Sequence, residues 1–231
     1  MAGKGKSKAK PRAKTTYRRK APIRRAPIDG QNILVNAYFE AKQALVAGES
    51  VMSYAICIDP KSPLVTKLGT LTLHDGGDAN AQLGGASNNE MVLPKWTTFS
   101  GLFNQYRING ATIKVRVDGE CGLENAVITC NDKGNESAIT NMRQALTGAH
   151  KSHSMTVSRR ELSYGVKSSG QDLDFYSTND NVGIVSREKR YIKVFQKLPP
   201  NTAAAGEPAK VCEHQVQVLL SLTLKDSKNL N

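Results

Sequence analysis

The residues with the clearest chemistry are lysines and arginines in the first 25 positions of the 231-residue chain. They are Lys4, Lys6, Lys8, Lys10, Arg12, Lys14, Arg18, Arg19, Lys20, Arg24 and Arg25. No Asp or Glu lies among them, and the rest of the chain carries 21 basic and 20 acidic residues, so this segment holds most of the formal net charge of +12. Clustered cations neutralise phosphates and release counterions, so the pattern predicts salt-sensitive binding to a nucleic acid.

Residues 1–27 form a separate basic arm in this interpretation, and residues 28–231 form one domain long enough to bury a core. The arm combines its cations with Gly, Ala, Ser and Pro, and we expect it to be disordered when free because it can bury little apolar area. The same clusters could also serve as a nuclear-import signal, or could only keep the protein soluble.

Other candidate sites are weak. His150 and His153 could both reach a metal ion, but no carboxylate or cysteine lies beside them. The acidic residues of the loop around Asp75 and Asp78 do not have the spacing of a calcium loop. The chain contains no motif of a serine hydrolase, a zinc peptidase or a dinucleotide-binding enzyme. We therefore predict that the protein is not an enzyme and holds no metal and no cofactor.

The four cysteines are widely spaced and form no CxxC pair: Cys57, Cys121, Cys130 and Cys212. We predict reduced thiols here, with a disulfide or a zinc site as the alternatives, and hence a reducing compartment. No apolar segment has the roughly 18–20 residues that a membrane span needs, so membrane insertion is not expected.

The strands that position these side chains are predicted mainly from the alternation of apolar and polar residues. In Tyr106–Val117, residues such as Ile113 and Val115 alternate with Thr112, Lys114 and Arg116, which predicts a strand with one core face and one cationic face. Residues 213–226 show the same period over a longer run. With several further strands, short helices at 99–106 and 138–149 and no βαβ rhythm, the chain is predicted to be an all-β sandwich or barrel.

Two phrases resemble the capsid proteins of circular Rep-encoding single-stranded DNA viruses, the circovirus-like group. The more distinctive is FSGLFNQYRINGATIKVRV (Phe99–Val117), which matches the form F-x-x-L-F-[DEN]-x-Y-R-I followed by alternating apolar and basic residues. The other is a strand ending in Ile58-Asp59-Pro60. AVITCND, SHSMTVSRRELSY and QVQVLLSLTLK are looser matches, and the basic arm precedes them all.

The resemblance implies a single eight-stranded jelly-roll β-sandwich with short helices in its loops. Its strands B to I would be residues 33–46, 50–58, 106–118, 124–131, 153–164, 172–178, 184–197 and 211–225. Strands B, I, D and G would form the sheet nearer the lumen of an icosahedral shell, a homo-oligomer of about sixty copies. Loops at 59–97, 131–152 and 199–210 would contact neighbouring subunits.

The implied partners are a single-stranded DNA genome, other copies of the chain and the host nuclear-import machinery, with localisation to the virion and, during assembly, the host nucleus. Lys114 and Arg116 would then add a luminal cationic patch, unless they are ordinary solvated residues or are paired with acids on neighbouring strands. Other interpretations are the capsid of a small RNA or satellite virus, a non-viral nucleic-acid-binding β-sandwich with a basic tail, and a carbohydrate-binding sandwich.

Overall fold

The computed structural model describes residues 30–75, 83, 89–119, 121, 126–147, 150–153, 160–168, 174–179 and 189–228. Within these residues the chain forms eleven strands and two helices. In chain order they are β1 (Gln31–Ala44), β2 (Ser50–Cys57), β3 (Val65–Lys67), β4 (Thr72–Asp75), α1 (Pro94–Leu102), β5 (Phe103–Gly119), β6 (Val127–Lys133), α2 (Met142–Leu146), β7 (His150–His153), β8 (Glu161–Lys167), β9 (Tyr176–Ser177), β10 (Arg190–Leu198) and β11 (Val211–Ser227).

The strands form two antiparallel sheets. The first, which we call the β1 sheet, has the order β4-β1-β11-β5-β8, with β9 paired to the end of β5. The second, the β2 sheet, has the order β3-β2-β10-β6-β7. Strands β1, β11, β5 and β8 take the places of jelly-roll strands B, I, D and G, and β2, β10, β6 and β7 take those of C, H, E and F. The predicted all-β jelly-roll sandwich is confirmed.

The core lies between the inner faces of the two sheets. Strand β11 is central in its sheet, where Leu220 pairs with Val35 of β1 and with Ala111 of β5. Phe39 from the β1 sheet packs edge-on against Tyr54 from the β2 sheet, and both are fully buried. Each large apolar side chain buried in this way contributes about 1.5–3 kcal/mol to folding.

The outer faces of the two sheets differ. Strand β10 has six consecutive buried residues because α2 and its flanking loops cover that side, where Ile139 and Ala145 pack against Phe195. Strand β11 instead alternates between buried and partly exposed residues over most of its length. One face of the β1 sheet therefore packs on the core while the other remains accessible to a ligand.

The helix predicted at 99–106 is placed differently. Helix α1 begins at Pro94, a residue suited to the first turn, and ends at Leu102. Tyr106 lies in β5, fully buried, where its hydroxyl donates to Oδ1 of Asp59 at 2.9 Å and its ring packs edge-on against Trp96. The two phrases that carry the family resemblance are thus joined by a buried hydrogen bond.

The strands predicted at 153–164 and 172–178 are also wrong in their bounds. Strand β7 pairs with β6 in one sheet and β8 pairs with β5 in the other, so the first prediction spans a crossing between sheets whose residues 154–159 lie outside the described residues. Only Tyr176–Ser177 of the second prediction forms a strand. Strand β10 begins at Arg190, later than the predicted residue 184, and residues 180–188 are likewise outside the described part of the chain.

The prediction that all four cysteines are reduced is contradicted at Cys121 and Cys212, which form a disulfide. The reason is the register of β11 against β5, which pairs Cys212 with Gly119 and so brings Cys121 beside it. Cys57 and Cys130 are free and buried, and burial raises the pKa of the Cys57 thiol to about 11. Among the described residues, no helix is long and apolar enough to cross a membrane.

Gly110 permits a close approach between strands. The register of β5 against β11 shifts opposite Ser221 and Leu222, and a Cβ at position 110 would lie 2.5 Å from the carbonyl oxygen of Val166 on β8. Because backbone cannot move aside as a flexible side chain can, we expect Gly110→Ala to lower the free energy of unfolding by about 1–3 kcal/mol, as measured by urea titration.

Gly165 on β8 offers a matched control. A Cβ there would meet the hydroxyl of Thr112 at 3.3 Å, and that side chain can yield. Gly165→Ala should therefore cost less than about 1 kcal/mol. Equal losses at the two positions would contradict a specific backbone contact at Gly110.

Candidate nucleic-acid interface

The accessible outer face of the β1 sheet is the candidate interface. It is built from alternate residues of four neighbouring strands, each exposed because its neighbours along the strand face the core. Across the middle of this face lie Tyr38, Lys114, Arg116, Glu161, Gln215 and Gln217, which line a groove of about 260 Å³. A groove with cations, amides and one phenol ring suits a chain of phosphates and bases.

Lys114 and Arg116 lie on this outer face, as the alternation predicts. Lys114 is opposite Gln217 of β11 and Ser163 of β8, and Arg116 is opposite Gln215 and Glu161. The Arg116 side chain is 60% exposed. Strand β5 therefore carries both cations outward, in a row along its axis.

The surroundings of the two cations differ. The guanidinium of Arg116 forms an ion pair with Asp118 at 3.2 Å, and Arg160 contacts the same carboxylate at 3.7 Å. Lys114 forms no salt bridge with any residue that the structure describes. The acid-paired alternative therefore describes Arg116 in part, whereas Lys114 has no salt-bridge partner among the described residues.

Tyr38 is a member of this face that sequence reasoning did not single out. Its side chain is 38% exposed, and burial, followed by the charge of Glu40, raises its pKa, so it is a neutral phenol at physiological pH. The sequence feature that could have identified it is its position between the buried alternate residues of β1, which directs its side chain outward. An exposed aromatic that lines the same groove as two cations is a surface on which a base can stack.

The eleven cations of the predicted arm lie outside the described residues, which begin at Gly30. Strand β1 starts immediately afterwards, with Gln31 opposite Leu224 of β11. The arm is therefore joined to the β1 sheet at the end of β1 that pairs with the C-terminal part of β11.

The other sequence candidates do not converge on a site. His150 and His153 lie three residues apart, at the two ends of β7. Ligand atoms of Cys121, Cys212 and His214 lie within 4.8 Å of one another in the core, but the two sulfurs are bonded to each other. His214 is fully buried, with its ring nitrogens 3.1 Å from the Tyr54 hydroxyl and 2.6 Å from Gln196 Oε1.

The fold is that of a single jelly-roll β-sandwich, and solved structures that resemble it can be named. No protein-family model matches the chain, and the comparison with curated proteins finds no match. The structure of Cocksfoot mottle virus has a TM-score of 0.48 at 9% identity and covers 87% of this chain and 97% of its own. The decameric BFDV capsid protein has a TM-score of 0.46 at 12% identity, covering 85% and 99%. The Macrobrachium rosenbergii nodavirus structure has a TM-score of 0.48 at 10% identity, and the match covers 99% of this chain and 62% of its own.

Proposed function

We propose that the protein is a viral capsid protein that assembles into an icosahedral shell and packages single-stranded DNA. The observation that carries the proposal is the order of the chain: eleven cations in residues 1–25 come shortly before β1, in the sheet of a jelly roll whose outer face is open and bears Lys114 and Arg116. In a closed shell with this face inward, arm and sheet would present cations to the genome together.

Exposed apolar side chains support self-association. Val92 is 50% exposed, and Met142 and Leu146, one turn apart on α2, are 40% and 46% exposed. All three lie in the loops predicted to contact neighbouring subunits, and the adjacent pair on α2 is the kind of exposed apolar patch that is typical of protein interfaces. The body of the chain is nearly neutral, so its copies can pack together without strong mutual repulsion.

A DNA genome is proposed because two segments of the sequence resemble capsid proteins of the circovirus-like group. The buried Tyr106–Asp59 hydrogen bond joins these two segments, which gives a structural reason for them to occur together. A small RNA or satellite virus capsid would carry the same arm and the same sheet. Treating the nucleic acid extracted from purified particles with DNase and with RNase separates the two, and loss to RNase alone would replace DNA with RNA in the proposal.

Shell formation is tested by sedimentation and negative-stain imaging of the purified full chain. Closed particles are the result that the capsid proposal predicts, because identical subunits that contact one another through the same loops assemble with closed symmetry. A soluble monomer at every salt concentration and pH tried, with and without oligonucleotide, would refute the capsid function. Such a monomer that still bound the oligonucleotide would favour a non-viral nucleic-acid-binding protein.

Neutralising Lys114 and Arg116 together is expected to reduce the nucleic acid packaged per particle. Substitution by Gln is cleaner than charge reversal, because a new carboxylate at position 116 would lie beside Asp118 and Glu161. Two lost phosphate contacts would lower the salt slope of oligonucleotide binding by up to about 1.4. Since Arg116 is already ion-paired, Lys114→Gln alone should produce the larger share of the effect.

The readout is the absorbance ratio at 260 and 280 nm of assembled particles, together with the salt dependence of binding. Lys67→Gln on β3, in the other sheet, removes one positive charge and is the matched control for Lys114→Gln alone. Normal packaging by the double variant would show that the arm acts without this part of the sheet.

A further inference from the structure

A second cationic cluster lies on the same outer face, near the point where the arm joins the sheet. Cζ of Arg107 lies 4.9 Å from the centre of the Phe175 ring, and Nζ of Lys225 lies 5.6 Å from it. Tyr176, the next residue, packs against Tyr106 on the core side, so Phe175 is directed outward. All three side chains of this cluster are partly exposed. Two cations are thus held over one aromatic ring at the surface.

Asp174 and Asp226 are chain neighbours of the cluster and are exposed, but neither forms a salt bridge with its cations among the described residues. None of the salt bridges within the described ranges involves Arg107 or Lys225. The ring of Phe175 offsets their mutual repulsion only weakly, because a cation–π contact at an exposed site is much weaker than an ion pair with a buried carboxylate. The arrangement differs in this respect from Arg116, whose guanidinium is bound to Asp118. Neighbouring cations that form no ion pair with an acid attract an anion.

Hydrogen bonds fix Arg107 in place. Its Nε donates to Oδ1 of Asn109 at 3.2 Å and its Nη2 donates to the hydroxyl of Thr223 at 3.4 Å. The Thr223 hydroxyl in turn donates to Oδ1 of Asn32 at 2.7 Å. The network crosses from β5 through β11 to β1. A guanidinium held by polar neighbours on three strands loses little conformational entropy when it binds a phosphate.

The cluster lies at the end of the sheet where β1 begins. Lys225 follows Leu224, the residue opposite Gln31, and the basic arm (residues 1–27) ends a few positions before Gln31 in the chain. Along β5, Arg107 and Lys114 are seven residues apart, which is roughly 23 Å of extended strand. The cluster therefore lies on the outer face at the level where β1 begins, and Lys114 lies farther along the same face.

We propose that Arg107 and Lys225 bind a phosphodiester of single-stranded nucleic acid, with Phe175 positioning the two cations. This inference rests on the proposed function and assigns a specific contact point to it. Each cation would contact a phosphate oxygen, the guanidinium through its free N–H groups and the ammonium as a point charge. The contact carries no base information, so the site accepts any sequence.

The test compares full-chain variants in their binding to a fluorescein-labelled oligo-dT over a range of salt concentrations. Arg107→Gln with Lys225→Gln should lower the slope of log affinity against log salt by roughly 0.7, which corresponds to one lost phosphate contact on a single strand. Lys67→Gln with Lys95→Gln removes the same charge from two exposed positions that form no salt bridge within the described residues, and should leave the slope unchanged. Arg107→Lys with Lys225→Arg keeps both charges and should keep the slope.

A second measurement needs no variant. Wild-type protein irradiated with an oligonucleotide containing 4-thiothymidine should form a cross-link in the peptide that includes Phe175. Equal slopes for the cluster pair and the control pair, or no cross-link in that peptide, would overturn the site. Wild-type protein that binds no oligonucleotide at all would overturn the proposed function instead, so the two failures are distinct.

Discussion

Deletion of residues 1–25 is expected to leave a folded body that assembles without nucleic acid. The deletion removes eleven of the 32 basic residues and no acidic ones, so the remaining chain is almost neutral. At about 0.7 per phosphate contact on a single strand, eleven contacts would account for a salt slope of about 8. The core is untouched, because β1 begins at Gln31 and its first fully buried side chain is Val35.

Two full-length controls separate charge from sequence. A chain with residues 1–25 in scrambled order keeps every cation and should package normally, because phosphate contacts tolerate any order. A chain with the eleven cations replaced by Gln should behave like the deletion. The measurement is the 260/280 nm absorbance ratio of purified particles. A truncated shell with a wild-type ratio would show that the arm is not the packaging element.

The strand-rich fold was predictable because the outer face of one sheet is exposed, so its strands alternate between apolar and polar residues. Residues on β11 alternate in burial, and the same alternation is visible in the sequence. The crossing from β7 to β8 was missed although the phase changes there: Met155 and Val157 are odd-numbered, whereas the buried Leu162 and Val166 are even-numbered. Such a change of phase shows that a strand is interrupted, but it does not identify the sheet to which each part belongs. The Cys121–Cys212 bond was missed for a related reason: its partners are 91 residues apart and meet only through the register of two strands.

The candidate interface was only partly predictable. Lys114 and Arg116 are placed correctly by their phase in β5. Arg107 and the buried Ile113 are both odd-numbered, so a regular strand would place both side chains on the core face. The irregularity at Gly110 reverses the phase, so that Arg107 joins Lys114 on the outer face. An inserted residue of this kind leaves no periodic signal that a single sequence would show.

Acid is expected to destabilise the protein through His214. The imidazole is fully buried, and burial lowers its pKa to about 3. Tyr54 is a donor to one ring nitrogen, because burial raises its pKa well above the usual range, and Gln196 Oε1 accepts from the other, so the neutral ring is fully hydrogen-bonded. The surrounding groups named in these contacts include no carboxylate that would favour the charged form.

The direction of this pH effect follows from the protonation of His214 in the unfolded and the folded chain. In the unfolded chain His214 has a pKa near the usual value of about 6.5, so below that pH the unfolded state binds a proton that the folded state refuses until about pH 3. The stability that the neutral His214 contributes is fully present above pH 6.5, and it falls by about 1.4 kcal/mol per pH unit as the pH drops from 6.5 to about 3. Its total is of the order of 4–5 kcal/mol, a large part of a typical stability.

Urea unfolding of the wild type and of His214→Gln at pH 7, 5 and 4 measures this contribution. The variant loses the buried hydrogen bonds and should be less stable at pH 7, but it has no titrating group at this position. The difference between the two proteins should therefore shrink as the pH falls below 6.5, while changes from other groups cancel in the comparison. Parallel stability curves from pH 7 to pH 4 would mean that His214 is protonated as readily in the folded protein as in the unfolded chain.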